Sequence, residues 1–294
     1  MNGILIVNKE KNVTSHDVVN QIRKIFKTKK VGHVGTLDPI STGVLVILIG
    51  NTTKLAPFLE NDGKEYIARI CFGISTDTYD ITGNILEKVN SFNLTLDLID
   101  EYLSKMIGVQ EQIPPIYSAI KVSGKKLYEY ARKQQEVEIP SRTIEVFKAE
   151  RISNLVIDND IAYCDVLFSV SKGTYIRSLI HDLGKLIQIP CCMSELNRTK
   201  SGKFLIENSS TIDEIKLGNF QLINPIDILN MPLLNVDENS NIHKKAINGM
   251  KISPSIYENK PERFAITCNN KLVAIYEYCS NEIPHYKSIR VWND

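Results

Sequence analysis

Lys30-Val31-Gly32-His33-Val34-Gly35-Thr36-Leu37-Asp38-Pro39-Ile40-Ser41-Thr42-Gly43-Val44-Leu45 is the stretch on which the reading of this chain turns. It sets one carboxylate, Asp38, in a loop bounded by glycines, with basic residues before it and an apolar run after it. Glycine admits sharp turns and close backbone approach to a ligand, and an aspartate before proline favours a turn that the proline holds stiff. Asp38 can cap a helix or close an Asx-turn. A phosphate cradle is excluded, because no Gly-Lys-Ser/Thr follows the glycines. A third reading is a catalytic carboxylate facing a nucleic acid, and the rest of the chain decides between it and the cap or turn.

Outward from this loop the charge is local. From Gln21 to Leu37 the chain carries Arg23, Lys24, Lys27, Lys29 and Lys30 with no acid, and Arg198, Lys200 and Lys203 form a second basic group. The formal net charge is only +1, so distribution matters more than the sum. Either cluster alone reads as a solvated face; two beside motif-bearing loops point to phosphate contacts. An apolar fraction of 43% suits a globular protein with a real core. The longest apolar run, Val44 to Ile49, is far too short to span a bilayer. The first residues lack a basic n-region and cleavage site and read as a strand, so a cytoplasmic location and no membrane partner are expected. Cys71, Cys164, Cys191, Cys192, Cys268 and Cys279 show no Cys-x-x-Cys pair and no metal-ligand rhythm with the histidines, and are expected to be reduced and mostly buried.

Hydrophobic spacing predicts strands at Ile4 to Val7, Val44 to Ile49, Glu65 to Phe72 and Ile161 to Val170. It predicts a helix capped by Ser15, with Val18, Val19, Ile22, Ile25 and Phe26 on one face and lysines on the other. A second amphipathic helix holds Leu98, Ile99, Tyr102, Leu103 and Met106. A third runs from Leu127 to Gln135. A fourth carries Ile176, Leu179, Ile180, Leu183, Leu186 and Ile187, with Thr174, Tyr175 and Arg177 in its first turn. Consecutive prolines, small residues and lysines from Gln112 to Lys125 describe an adaptable loop, and residues 113–142 read as an inserted element able to close on a ligand. A boundary near Pro225 to Pro232 divides residues 1–230 from a small β module with one helix over 231–294.

Gly32-His33-Val34-Gly35-Thr36-Leu37-Asp38-Pro39 followed by Thr42-Gly43-Val44-Leu45 resembles motif II of the TruB family, the tRNA pseudouridine-55 synthases. In that family the aspartate is the nucleophile of uridine isomerisation, which makes Asp38 the expected catalytic carboxylate. Ser171-Lys172-Gly173-Thr174-Tyr175-Ile176-Arg177-Ser178-Leu179 resembles the third motif, so Arg177 is expected to pair with Asp38, and Tyr175 to pack near the nucleotide. Tyr66, in Gly63-Lys64-Glu65-Tyr66, matches the tyrosine that stacks on the flipped base and can move a proton at C5. Asp80, in Thr76-Asp77-Thr78-Tyr79-Asp80-Ile81-Thr82-Gly83, matches an aspartate given a supporting role. Leu196 matches an apolar residue lining the uracil pocket. The resemblance also makes His33 a wedge that fills stacking space in the RNA, and places Lys9 among the substrate-binding residues. It likens residues 113–142 to an RNA-gripping insertion and the C-terminal module to a PUA domain.

Three positions depart from the family pattern. Lys9-Glu10-Lys11-Asn12-Val13-Thr14-Ser15 has Glu10 for a proline and Asn12 for a glycine; an asparagine can supply the left-handed conformation. The usual Arg-Arg is Asn197-Arg198, which removes one phosphate contact. The implied reaction moves the ribose bond from uracil N1 to C5, so no redox cofactor and no metal is expected. The expected fold is α+β: a mixed, mainly antiparallel sheet flanked by helices, with the site in a cleft across it and a small PUA-like β domain following. The expected partner is the T-arm of tRNA, met as a monomer without a protein partner. A non-catalytic tRNA-folding protein and a guide-RNA-dependent, dyskerin-like enzyme are the alternatives; the insertion favours the stand-alone enzyme.

Overall fold

The run Thr42–Ile49 is a strand buried from Gly43 to Ile49, which is why its sequence shows no polar alternation. Leu45, Ile47 and Ile49 face a core that includes Val18, Val19 and Ile22 of the helix Ser15–Ile25. Val44, Val46 and Leu48 face the other way, onto Ile4, Ile6, Phe204 and Ile228. Along one edge this strand pairs antiparallel with Gly3–Lys9 over its length. Its other edge is shared. Val31–Val34 takes the half near Ile49, antiparallel, while Cys191–Ser201 joins in parallel only at Thr42 and Gly43. The Asp38 loop spans Val34 to Thr42, so it sits where the edge changes partner.

In this computed structural model, residues 1–59, 63–90, 93–158, 161–280 and 282–292 are described; residues 281, 293 and 294 of the C-terminal module lie outside them. The large sheet continues from Cys191–Ser201 through Lys64–Phe72, Ile161–Val170 and Arg142–Arg151 to Gly108–Gln112, each pair antiparallel. The sheet is mixed and mainly antiparallel, as expected. Helices Leu96–Lys105 and Ile176–Ile187 pack on the same face as Ser15–Ile25, around Ile99, Leu103, Leu179, Ile180 and Leu183.

A second sheet of four strands follows: Leu233–Asn235, Arg263–Cys268, Lys271–Cys279 and His285–Val291, with the helix Asn241–Ile247 beside it. Leu55, Ala265, Ile275 and Trp292 form an apolar seam between it and the larger sheet. Trp292 Nε1 donates to the Asn51 carbonyl at 2.9 Å across the same seam.

Several local expectations need correcting. Thr14, not Ser15, caps the first helix: its hydroxyl accepts from Asp17 N–H, and Asp17 returns the contact in a capping box. Ser15 is buried, and its hydroxyl instead donates to Leu37 O (3.1 Å) and accepts from Leu37 N–H (2.9 Å). The helix expected to reach Gln135 ends at Arg132, because Gln134 adopts φ +51°. Tyr175 caps the Ile176–Ile187 helix rather than lying in its first turn; Gln112 takes both its backbone groups, at 2.8 and 3.1 Å. All six cysteines are free and five are buried.

Candidate active site

Asp38 emerges from a loop held on every side. Ser15 fixes Leu37, and the Pro39 carbonyl accepts from Asn12 N–H at 2.7 Å. Asn12 has φ +66°, the left-handed conformation expected of it in place of glycine. The Lys9 side chain is fully buried, and its ammonium donates to the Glu10, Val13 and Pro39 carbonyls at 2.9, 2.7 and 3.3 Å. Burial lowers its pKa to about 8. Lys9 is thus part of the loop's support and offers no surface to a substrate, a correction to its expected binding role. Arg198 needs the same correction: it is buried against carbonyls of the Asp38 loop, so its guanidinium is engaged by the loop rather than by a phosphate. Lys24, Lys27, Lys29, Lys30, Lys200 and Lys203 remain exposed.

Arg177 enters from the first turn of its helix, with a side chain 5% exposed. Its Nε lies 3.0 Å from Asp38 Oδ2, and its Nη1 lies 3.5 Å from Asp80 Oδ2. Nη1 also donates to Thr78 O at 3.0 Å and Nη2 to Tyr117 O at 3.1 Å. The guanidinium therefore bridges two carboxylates and ties the Asp38 loop to the segment carrying Tyr117. Asp80 is fixed in turn: its Oδ1 accepts from Thr78 Oγ1, Thr82 N–H and Thr82 Oγ1. Asp38 is 38% exposed, so of the two carboxylates it is the one offered to a ligand, while Asp80 at 7% orients the arginine.

A cleft of about 420 Å³ opens at Asp38. Tyr66, Tyr175, Arg177 and Leu196 line it with Asp38, and Tyr117 and Tyr128 form a further wall. Tyr66 and Leu196 are brought together by strand pairing, since Tyr66 is opposite Arg198 in the register. Burial pushes the Tyr175 phenol up, keeping it neutral. The volume suits one nucleobase with its sugar, and the apolar and aromatic walls suit a flat ring. His33 is not in this cleft; it lies half-buried on the strand Val31–Val34, opposite Ile47. Asp80 and Lys9 stand behind the cleft rather than on its surface. Sequence reasoning missed Gln112 and the Thr78 carbonyl, whose roles arise from backbone contacts 63 and 99 residues apart, which no local spacing signals. Among the described residues, no cluster of His, Cys, Asp and Glu is placed to hold a metal ion.

The sequence model described as TruB family pseudouridylate synthase (N terminal domain) matches residues 23–176. The chain belongs to the TruB family of pseudouridylate synthases. It is 41% identical over 304 residues to tRNA pseudouridine synthase B of Staphylococcus saprophyticus, covering 99% of each chain. It is 42% identical over 302 residues to the protein of that name from Listeria monocytogenes, covering 99% of this chain and 96% of that one. In three dimensions it is similar to a chain of an H/ACA RNP bound to a substrate RNA containing 2′-deoxyuridine. The TM-score there is 0.68 at 23% identity, over 99% of this chain and 85% of that one. At that identity the likeness establishes the pseudouridine synthase fold alone.

Proposed function

We propose that this protein is a tRNA pseudouridine synthase that isomerises uridine 55 of the T-loop, with Asp38 as the nucleophile toward a flipped-out uridine. The observation that carries the reading is the Arg177–Asp38 ion pair, 3.0 Å long, at a base-sized cleft walled by Tyr66 and Leu196. The arginine sets a buried positive charge beside the carboxylate. Tyr66 stacks on the detached uracil and Leu196 closes the pocket from the next strand. The bond from C1′ to N1 breaks and a bond from C1′ to C5 forms; N1 gains a proton and the C5 proton leaves to solvent. We read Tyr66, which lines the cleft beside Asp38, as the group that moves the C5 proton.

The substrate is read as tRNA because the relatives over the full chain are named tRNA pseudouridine synthases. A path for the RNA is supported by a groove of about 630 Å³, lined by Lys64, Lys200, Lys203 and Arg263 together with Glu65 and Glu262, which shares Lys64 with the cleft. It runs between the large sheet and the C-terminal module, which we read as a PUA-like RNA-binding domain over 231–294 beside a catalytic domain over 1–230. Residues 113–142 grip the RNA, His33 fills the place the uridine leaves, and the enzyme works as a monomer without a guide or partner. Carbodiimide mapping of an unmodified tRNA transcript treated with the protein tests this. A single new stop at position 55 is expected; stops elsewhere alone, or none, would refute the assignment.

A further inference from the structure

Arg198 is among the largest fully buried side chains of the protein. A buried guanidinium is costly unless its donors are met. Here they are met by backbone carbonyls: Nε donates to Val44 O at 2.7 Å, Nη2 to Gly35 O at 2.9 Å and Nη1 to Thr36 O at 3.5 Å. Gly35 and Thr36 enter the Asp38 loop, and Val44 leaves it. One side chain therefore joins both ends of the loop that carries the nucleophile.

The same residue ties that loop to the pocket wall. Leu196 and Arg198 are two apart on one strand, so their side chains leave on the same face. Both line the cleft with Asp38. The backbone completes the join: Arg198 is in register with Gly43, and Thr42 Oγ1 donates to Leu196 O at 3.3 Å. At Gly43, with φ +99°, a Cβ would stand 2.3 Å from Arg198 O, so only glycine lets the two strands approach this closely. The tip of the loop is held separately, by Ser15, Asn12 and Lys9. Thr42 Oγ1 meets the strand of Leu196 at one end of the loop, whereas Arg198 reaches from that strand to both ends.

We propose that Arg198 is a positioning residue for the reaction, clamping the base of the Asp38 loop so that the carboxylate stands at a fixed place relative to the Leu196 wall. The inference rests on the proposed isomerase function for its catalytic consequence, while the clamp itself does not. It acts in the chemical step and not in RNA affinity, because its hydrogen bonds to Val44, Gly35 and Thr36 are spent on protein carbonyls.

The test compares wild type with Arg198→Met and Arg198→Lys. Turnover of tRNA carrying tritium at uridine C5, RNA affinity, and hydrogen exchange in peptides covering residues 35–44 are measured. For Arg198→Met the expected result is a fall in kcat of roughly 30- to 100-fold, the scale of a small misplacement of a reacting group. KM and RNA affinity should stay within about twofold. Exchange should quicken in residues 35–44 but not in the Arg142–Arg151 strand. Arg198→Lys, with one ammonium in place of the fork, should show the same pattern more weakly, and it carries the test if the methionine variant does not fold. Unchanged exchange in residues 35–44 overturns the clamp whatever the turnover. Quickened exchange with unchanged kcat overturns the positioning role, and losses that track RNA affinity or exchange across the whole protein reduce Arg198 to general support of the fold. If wild type releases no tritium, the functional reading fails instead, and the exchange comparison still decides the clamp.

Discussion

Replacing Arg177 with methionine strands Asp80. Its carboxylate is 7% exposed, and its Oδ2 loses the guanidinium 3.5 Å away. Oδ1 keeps Thr78 Oγ1 and Thr82 N–H, each at 3.0 Å, so the charge is partly compensated. Breaking a buried pair costs roughly 3–5 kcal/mol, and the surviving bonds place this case near 3. The loss at Asp38 adds under about 1 kcal/mol, because that carboxylate is 38% exposed and water screens it. Asp80→Asn in the Arg177→Met background removes the stranded charge, so the double variant should be more stable than the sum of the single losses by about 1–3 kcal/mol. Urea unfolding of the four proteins at neutral pH measures this coupling. Additivity within about 0.5 kcal/mol would refute the view that Arg177 and Asp80 form one buried unit.

Other consequences are as direct. Lys9 titrates near pH 8 in the folded state, below its ordinary 10.5. Between those values the unfolded chain binds more protons, so stability rises with pH across the window, and below about pH 8 the full penalty is present. Wild type should gain roughly 1–2 kcal/mol over Lys9→Met between pH 8 and 10.5, less than the full shift implies because three carbonyls favour the ammonium; a flat difference in unfolding free energy would contradict its burial as a strained cation. Asn12→Val should cost about 1–2 kcal/mol at φ +66° while Asn12→Gly costs almost nothing, as thermal melts would register. Tyr66→Phe should keep RNA affinity and lose about 10²-fold or more in turnover, whereas Tyr66→Leu should also weaken binding; a phenylalanine variant with wild-type turnover would remove the hydroxyl from the chemistry.

What the sequence disclosed here was what lies close along the chain. The glycines around Asp38, the apolar strand after it and the left-handed Asn12 are local, and local chemistry decides them. The helix carrying Arg177 was equally plain from its apolar spacing. What stayed hidden depends on partners far along the chain. Lys9 read as a substrate-binding residue and Arg198 as a phosphate contact because nothing nearby reveals that carbonyls at Pro39, Gly35 and Val44 close over them. Ser15 looked like a cap until the Leu37 backbone claimed its hydroxyl and left that place to Thr14. Tyr175 falls outside its helix for the same reason, since Gln112 holds both its backbone groups. In each case a buried polar group met a carbonyl or amide that only the completed sheet brings near.

The most direct test of the central claim is tritium release from C5-labelled uridine in an unmodified tRNA transcript, with wild type and Asp38→Asn compared at equal RNA occupancy. Wild type should release tritium and the variant none, with tRNA binding retained. Release by both would show that the carboxylate beside Arg177 is not the nucleophile.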